Sequence, residues 1–457
     1  MKFLRLILAL ITASLFPASV LSARTVDQTL RVDVVRDSGL FRATFHLPQS
    51  ARTWAFSRSN LARRTRDSWR QRSWTVLTPG VRLERRGEFD VFTAEQGNVP
   101  RTVSIRFEPF GNDLLADYDP ALVFTDGSIA LFTGHFAAGP WRGSGSRPEG
   151  AAPSTTITFR DTAGPLLYKG TSYRTATTND LDTYVVFGNP QLLSTDNLSG
   201  IIDPQVPEWL RTELVNFLPR SIALYTQRLN APGGTGKPMV LVSWAGPTPH
   251  MVSQGGSVLP NLLTVRLEGD GLLDANPSEM QNLRWFIAHE SAHFWLGQAV
   301  SYGEPGEAWI TEGGANLLAY RLIETVDPAY QGGTELYNDW ADCISLAEAK
   351  PIATAGSRQE YRAYYACGTV LAMVAEGAAR KNGRDFFDFT RDLVSKNRRE
   401  NGGDGSVNAD EWLAALSEES GDPTIATDIR TMLTVGVANP RSAITSLLQR
   451  VGRATPG

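Results

Sequence analysis

Two histidines and a glutamate lie close together in the sequence, in an arrangement that could hold and use a metal ion. His289, Glu290 and His293 form the pattern H-E-x-x-H within a largely apolar segment. On a helix, residues four apart lie on nearly the same face, so both imidazoles could bind one zinc ion at about 2.0–2.1 Å. Glu290 would lie about 100° around the helix, beside the metal rather than on it. That position suits a general base acting on water.

A catalytic zinc site also needs a third protein ligand and an open position for water. Glu312 follows His293 after 18 intervening residues, in a second segment of helical character. The small residues Gly313–Ala315 leave room for this helix to pack closely on the first. Glu304 and Glu307 are the alternatives, but they fall in or beside a connection that contains Gly and Pro. We therefore expect one zinc ion, held by the two histidines and Glu312.

Helices must position these residues, and they follow a β-rich first half. The strand-like segments of that half are Leu30–Val35, Leu40–Leu47, Thr102–Phe107, Ile129–Phe132, Thr155–Phe159 and Thr183–Phe187. Later strands are predicted at Pro238–Trp244 and Leu262–Leu267. Helices are predicted over Glu208–Leu229 and near 278–300, 309–325, 357–381, 384–397, 409–419, 424–434 and 441–450. Ser278 and Gln281 would form a capping box at the start of the metal helix.

This order of elements predicts an α+β protein. We expect a β-sandwich or saddle-shaped domain over residues 23–200 and a mainly helical catalytic domain over residues 201–457. The chain of 457 residues is 42% hydrophobic and 20% charged, which excludes wholesale disorder. Its net charge of -4 does not indicate a nucleic-acid-binding protein.

Two further features leave alternatives open. Cys343 and Cys367 are the only cysteines, too few for a four-cysteine zinc site or an iron–sulfur cluster. They either form one disulfide or remain two buried thiols.

The arginine-rich stretch 52–86 also holds three tryptophans. It is either a surface for anionic ligands or a solvated face of the β domain.

The N-terminus has the pattern of a secretory signal peptide over residues 1–22. Lys2 and Arg5 precede an apolar run, Pro17 ends it, and small residues follow, so cleavage after Ser22 or Ala23 fits. The run is shorter than the roughly 20 residues of a spanning helix. We therefore expect an exported protein, periplasmic or secreted, without stable membrane insertion.

The metal pattern and its surroundings resemble those of a known family. H-E-x-x-H, 18 residues, E is the pattern of the gluzincin metallopeptidases related to aminopeptidase N and leukotriene hydrolase. The segment W-I-T-E-G-G-A, from Trp309, resembles that family's W-L-N-E-G-F-A, and Y-Y-A-C-G, from Tyr364, resembles its Y-E-K-G helix. The resemblance covers about residues 200–435. It implies a thermolysin-like catalytic domain, a zinc cofactor and hydrolysis of peptide bonds.

The same resemblance assigns a tyrosine to the reaction. Tyr365 would donate a hydrogen bond to the oxyanion that forms when water attacks an amide carbonyl. Tyr361 and Tyr364 are the rival positions. Glu290 would take a proton from the attacking water and deliver it to the leaving amine.

The sequence departs from the family in the segment before the zinc helix. The family's G-x-M-E-N motif supplies a glutamate that binds the substrate's amino group, but the corresponding Gly255–Asn261 contains none. Glu268 or Asp270 is a weak substitute.

Leu262–Leu267 is either an exposed edge that pairs with an extended peptide or an ordinary sheet strand. The family's C-terminal helical repeat domain is also missing, so a more open cleft is expected.

These features predict a zinc metallopeptidase whose preference for chain ends or internal bonds stays open. The alternatives are a glycyl-aminopeptidase-like or other zinc hydrolase, and a non-catalytic binding protein with a metalloprotease shell. We expect a peptide or protein as the binding partner, no nucleic acid, and a monomer.

Overall fold

The computed structural model describes residues 28–143, 153–232, 237–330 and 332–456. The predicted signal peptide, residues 1–22, lies outside these ranges. The predicted α+β class is confirmed, with β-sheets concentrated in the first half and long helices in the second. Within the described ranges, no helix has the length and apolar character needed to cross a membrane.

The first half is built from short strands. They are β1 (Leu30–Asp37), β2 (Leu40–His46), β3 (Thr53–Phe56), β4 (Trp74–Val76), β5 (Val81–Arg86), β6 (Phe89–Ala94), β7 (Thr102–Phe107), β8 (Ala121–Val123), β9 (Ile129–Phe132), β10 (Ala138–Pro140), β11 (Thr155–Asp161), β12 (Leu166–Tyr168), β13 (Thr171–Tyr173), β14 (Thr175–Thr178) and β15 (Tyr184–Phe187). The described strands form sheets in the orders β14-β11-β1-β2-β7-β4, β10-β3-β6-β5 and β13-β12-β15-β9-β8.

Among the described residues, the second half carries the remaining strands and every α-helix except α1 (Trp69–Ser73). Its strands are β16 (Leu192–Ser194), β17 (Ser199–Ile202), β18 (Met239–Trp244), β19 (Ser253–Leu259), β20 (Leu262–Glu268), β21 (Ser301–Tyr302) and β22 (Ser406–Val407). Its helices are α2 (Glu208–Leu229), α3 (Pro277–Ala292), α4 (Trp309–Val326), α5 (Gly333–Ala347), α6 (Arg362–Lys381), α7 (Phe386–Asn397), α8 (Ala409–Ser420), α9 (Pro423–Thr434) and α10 (Pro440–Arg450).

The strands of the first half form because apolar side chains alternate along them. In β1, Val32 and Val34 are buried while Arg31 and Asp33 are exposed, which gives one apolar face. A separate apolar cluster joins the halves, with Phe132 and Tyr184 on one side and Leu241 on the other. The first half is thereby packed against the sheet that borders the predicted metal site. The boundary near residue 200 stays a prediction.

The arginine-rich stretch is divided between surface and core: most of its arginines are exposed, as a solvated face requires, but its tryptophans and one arginine are buried. Its three tryptophans are buried: Trp54, Trp69 and Trp74. Arg70 is also fully buried, pairs with Asp90 at 3.2 Å, and lies over aromatic rings. Burial lowers the pKa of Arg70 to about 10, which still leaves the side chain charged at neutral pH. A buried ion pair between α1 (Trp69–Ser73) and β6 therefore accounts for one of these arginines.

The sheet of the second half has the order β16-β17-β18-β20-β19. Of the two alternatives for Leu262–Leu267, the structure has the ordinary sheet strand rather than the exposed edge, because β20 lies between β18 and β19. Pro260 and Asn261 connect β19 to β20 in a tight turn, and Asn261 has a positive φ of 59°. The edge strand is therefore Ser253–Leu259, whose glycines give it a weak strand signal.

Two helix ends differ clearly from the prediction, since α6 begins at Arg362 rather than near residue 357 and α3 ends early. Helix α3 ends at Ala292, not near residue 300, and His293 is its C-cap. The predicted capping box of Ser278 and Gln281 is wrong, because Pro277 occupies the first helical position and Asn276 caps the helix. Helix α2 has the predicted bounds. Helix α5 was not predicted.

Candidate metal centre

The structure brings His289, His293 and Glu312 together at one point. The Nε2 atoms of the two histidines are 3.1 Å apart, and Oε2 of Glu312 is 3.5 Å from each. A triangle with these sides has a circumradius of about 2 Å, close to the length of zinc bonds to nitrogen and oxygen. Oε2 of Glu312 is buried and has no hydrogen-bond partner among the described residues. Two imidazoles and a carboxylate are also the chemistry that zinc prefers, so the residues fit this ion.

The two histidines are positioned by the last turn of α3. His289 lies four residues before His293, which places both imidazoles on one side of the helix axis. Beyond His293 the chain turns back through Gly297, whose φ of 144° suits glycine. This turn brings the carbonyl oxygen of Leu296 to 2.8 Å from Nδ1 of His293. When Nδ1–H donates there, Nε2 keeps its lone pair for a metal.

Glu312 lies in the first turns of α4 and faces both imidazoles. Burial opposes a charge on either partner, but the ion-pair attraction raises the pKa of His293 to about 9 and lowers that of Glu312 well below its usual range. The alternatives Glu304 and Glu307 form a capping box instead, and Glu307 also accepts a hydrogen bond from the Ala409 backbone. Of the three glutamates, only Glu312 joins the cluster.

Among the three candidate tyrosines, Tyr365 is the one beside this cluster. Its ring stacks on the ring of His289 with centroids 5.9 Å apart. Tyr364 points elsewhere, since its hydroxyl bonds Gly356 and Ala353, and Tyr361 is 60% exposed. Burial and the nearby carboxylates raise the pKa of Tyr365 well above its usual range. Its hydroxyl therefore stays protonated and is able to donate a hydrogen bond.

Glu290 lies between the histidine cluster and the edge strand β19. A Cβ atom placed on Gly256 would lie 3.6 Å from the carboxyl carbon of Glu290 and 2.7 Å from the ring of Phe286. The backbone of β19 therefore approaches α3 closely only because residue 256 is glycine. Sequence reasoning did not identify this role of Gly256, although the Gly-Gly pair in a strand was a signal for close backbone approach.

The proposed substitutes for the missing glutamate have other partners. Glu268 is nearly buried and pairs with Arg64 at 2.7 Å and with Arg266 at 2.9 Å. Arg64 belongs to the first half of the chain, so this pair links the halves. Asp270 accepts a hydrogen bond from the backbone of Met251 at 3.3 Å. Neither carboxylate is part of the cluster around Glu312.

Helices α4 and α6 cross at two glycines. A Cβ atom on Gly313 would lie 2.0 Å from the carbonyl carbon of Gly368, and one on Gly368 would lie 2.3 Å from the carbonyl oxygen of Trp309. The small residues after Glu312 were expected to allow packing on the histidine helix. Gly314 does lie against Leu296, which follows α3. Gly313 instead allows close packing of α6, the helix that carries Tyr365.

Gly313→Ala is expected to lower the free energy of unfolding by about 1–3 kcal/mol, because the opposing atoms belong to backbone that cannot turn aside. The substitution would also separate Glu312 from Tyr365 and reduce activity. Chemical denaturation measures the first effect. Gly333→Ala is the matched control, since a Cβ atom there meets nothing within 4 Å. Equal unfolding midpoints for Gly313→Ala and the unsubstituted chain would contradict the close crossing.

The two cysteines form a disulfide between α5 and α6. Cys367 follows Tyr365 by two residues on α6. The disulfide therefore links α6, which also packs on α4, to α5. Both cysteines are buried. Of the two alternatives left by the sequence, the structure has the disulfide rather than free thiols.

Comparison with known proteins shows which fold the chain has. No family model and no curated protein matches the chain. It is similar to an aminopeptidase N family protein from Idiomarina loihiensis, with a TM-score of 0.62, 13% identity, and coverage of 92% of this chain and 78% of that one. It is also similar to native leukotriene A4 hydrolase from Saccharomyces cerevisiae, with a TM-score of 0.52, 13% identity and coverage of 90% and 68%. The yeast enzyme in complex with bestatin gives a TM-score of 0.52 at 14% identity, with coverage of 90% and 68%.

The backbone fold of these similar structures agrees with the family resemblance of the sequence motifs. At 13–14% identity they establish architecture rather than chemistry. The chain has the fold of the aminopeptidase N family protein and of leukotriene A4 hydrolase.

Proposed function

We propose that the protein is an exported zinc-dependent metallopeptidase, with His289, His293 and Glu312 as ligands of one zinc ion. The observation that carries the proposal is the triangle of their ligand atoms, 3.1–3.5 Å on a side, with Glu290 and Tyr365 around it. The fold supports this assignment, since the similar structures are described as an aminopeptidase N family protein and a hydrolase.

A zinc ion held by His289, His293 and Glu312 would act as a Lewis acid towards the substrate carbonyl and would lower the pKa of a water molecule towards about 7. Glu290 accepts a proton from the attacking water and returns it to the leaving amine. Tyr365 donates its hydroxyl proton in a hydrogen bond to the developing oxyanion. The site is partly shielded from water, since the side chains of His289, His293 and Glu312 are 5%, 14% and 22% exposed, and this shielding strengthens electrostatic interactions there.

The edge of β19 offers a place for the substrate backbone. Its partner β20 occupies one side, and the other side pairs with no strand among the described residues. An extended peptide could add to that edge by main-chain hydrogen bonds, which would place its carbonyl beside Glu290. No carboxylate projects from Ser253–Leu259, so an amino-terminal anchor of the family kind is lacking in this strand. The proposal therefore covers both terminal and internal cleavage.

The proposal of export is supported by the predicted signal peptide and by the disulfide. Disulfides persist mainly in oxidising compartments such as the periplasm and the extracellular space. The peptide or protein substrate is proposed as the binding partner, and the protein as a monomer.

Cleavage of a mixed peptide library by the purified protein tests the function. We expect hydrolysis that stops when a chelator removes zinc and returns when zinc is added. A matched set of N-terminally acetylated peptides separates the two modes, since an exopeptidase that needs a free amino group spares them and an endopeptidase does not. Hydrolysis of esters with every peptide left intact would contradict a peptidase and favour another zinc hydrolase.

A further inference from the structure

The two histidines of the cluster are held in different ways. A metal-binding histidine usually donates its second ring N–H to a carbonyl or carboxylate, which fixes the plane of the ring. His293 follows this rule through Leu296. Nδ1 of His289 is buried and has no hydrogen-bond partner among the described residues. On the side of the ring that faces away from Glu312, no hydrogen bond from a described residue therefore orients this imidazole.

Aromatic rings surround the imidazole of His289. The indole of Trp285, one helical turn earlier on α3, has its centroid 5.3 Å away and is inclined by 34°. The ring of Tyr365 lies 5.9 Å away and is inclined by 23°. The ring of His293 meets it nearly at a right angle, at 4.8 Å. Rotation of His289 about its side-chain bonds would bring its ring into collision with these neighbours.

The indole of Trp285 is distinguished by its position against His289 and not by a hydrogen bond of its own. Nε1 of Trp285 is itself buried without a hydrogen-bond partner in the described part of the chain. Nε1 of Trp54, Trp69, Trp141 and Trp340 is also buried without a partner, so this feature does not separate Trp285 from them. What the indole adds is a large, rigid plane against the metal-facing imidazole.

We propose that Trp285 is a positioning residue for the metal centre, which sets the plane of the His289 imidazole in place of a hydrogen bond to Nδ1. The inference rests on the proposed zinc site and adds to it a residue outside the H-E-x-x-H pattern. Through His289 the indole also supports the ring of Tyr365, so it acts on two groups of the proposed reaction.

Zinc affinity of the metal-depleted protein, measured by competition with a chromogenic chelator, tests the proposal. We expect Trp285→Leu to weaken zinc binding by about 10–100-fold, the usual effect of losing an outer partner of a metal ligand. Trp285→Phe keeps a flat ring and is expected to stay within about threefold of the unsubstituted chain. Thermal unfolding of the metal-depleted variants measures the effect of Trp285→Leu and Trp285→Phe on stability, apart from their effect on zinc affinity.

Trp209→Leu is the matched control. Trp209 and Trp285 are both partly buried against the same apolar cluster, but Trp209 lies on α2 and its Nε1–H donates to the backbone carbonyl of Leu272. We expect Trp209→Leu to leave zinc affinity unchanged even if its stability falls. Should Trp285→Leu not fold, Trp285→Met carries the same expectation with a flexible apolar side chain.

The outcomes separate this inference from the proposed function. If the unsubstituted chain binds zinc and Trp285→Leu or Trp285→Met binds it equally well, the positioning role is overturned and the zinc site stands. If the unsubstituted chain binds no zinc, both are overturned. Weaker binding in Trp285→Leu with recovery in Trp285→Phe supports the role, because a loss of packing alone would lower stability without this pattern.

Discussion

Glu290→Gln is expected to reduce the rate of peptide hydrolysis by about 10²–10⁴-fold while the protein keeps one zinc ion per chain. Glutamine has nearly the same shape as glutamate but cannot accept a proton from water. Glu290 lies beside the histidines and Gly256 rather than at the centre of the ligand triangle, so its loss leaves the ligands in place. Turnover of a fluorogenic peptide and zinc content after dialysis provide the two measurements.

Glu279→Gln controls for the loss of a charge on the same helix. Glu279 lies in the first turn of α3, far along the helix from His289, and full activity is expected. Undiminished hydrolysis by Glu290→Gln would contradict its role as the general base. Loss of zinc together with activity would instead assign Glu290 to the ligand set.

Glu312→Ala is expected to remove both zinc and activity. With only His289 and His293 left, the site lacks the third ligand that a catalytic zinc ion requires. The loss of affinity should exceed the roughly 10–100-fold effect of an outer partner. Competition with a chromogenic chelator measures the affinity, and the peptide assay is expected to fall to background.

Glu324→Ala is the control for this change, because Glu324 lies on the same helix and pairs with Arg321 away from the cluster. It is expected to bind zinc normally. If Glu312→Ala retained a full equivalent of zinc with unchanged affinity, the three-ligand assignment would be wrong. A ligand would then have to be sought outside this cluster.

The cluster could be predicted from the sequence because its members obey local rules. The spacing of His289 and His293 fixes their common face on any helix, and Glu312 follows at a distance typical of one family. The α+β class followed from strand-like segments before the helices. These features depend on short stretches of chain, and tertiary packing changes them little.

The parts that were missed depend on contacts between distant segments. Strand β19 is rich in glycine and is stabilised by its pairing with β20, so its sequence alone gave little sign of a strand. The role of Gly313 depends on Gly368, more than 50 residues away. The end of α3 at Ala292 results from the turn that brings Leu296 to His293.

The crossing of α4 and α6 has a consequence for how this protein could acquire a new preference. Glu312 and Tyr365 lie on helices whose backbones touch at Gly313 and Gly368, and a disulfide fastens the second helix again two residues after Tyr365. Neither group can shift without moving a whole helix. If the proposed peptidase activity is correct, directed evolution for altered peptides should therefore collect its useful changes in Ser253–Leu259, one edge of which pairs with no strand among the described residues, rather than along these two helices.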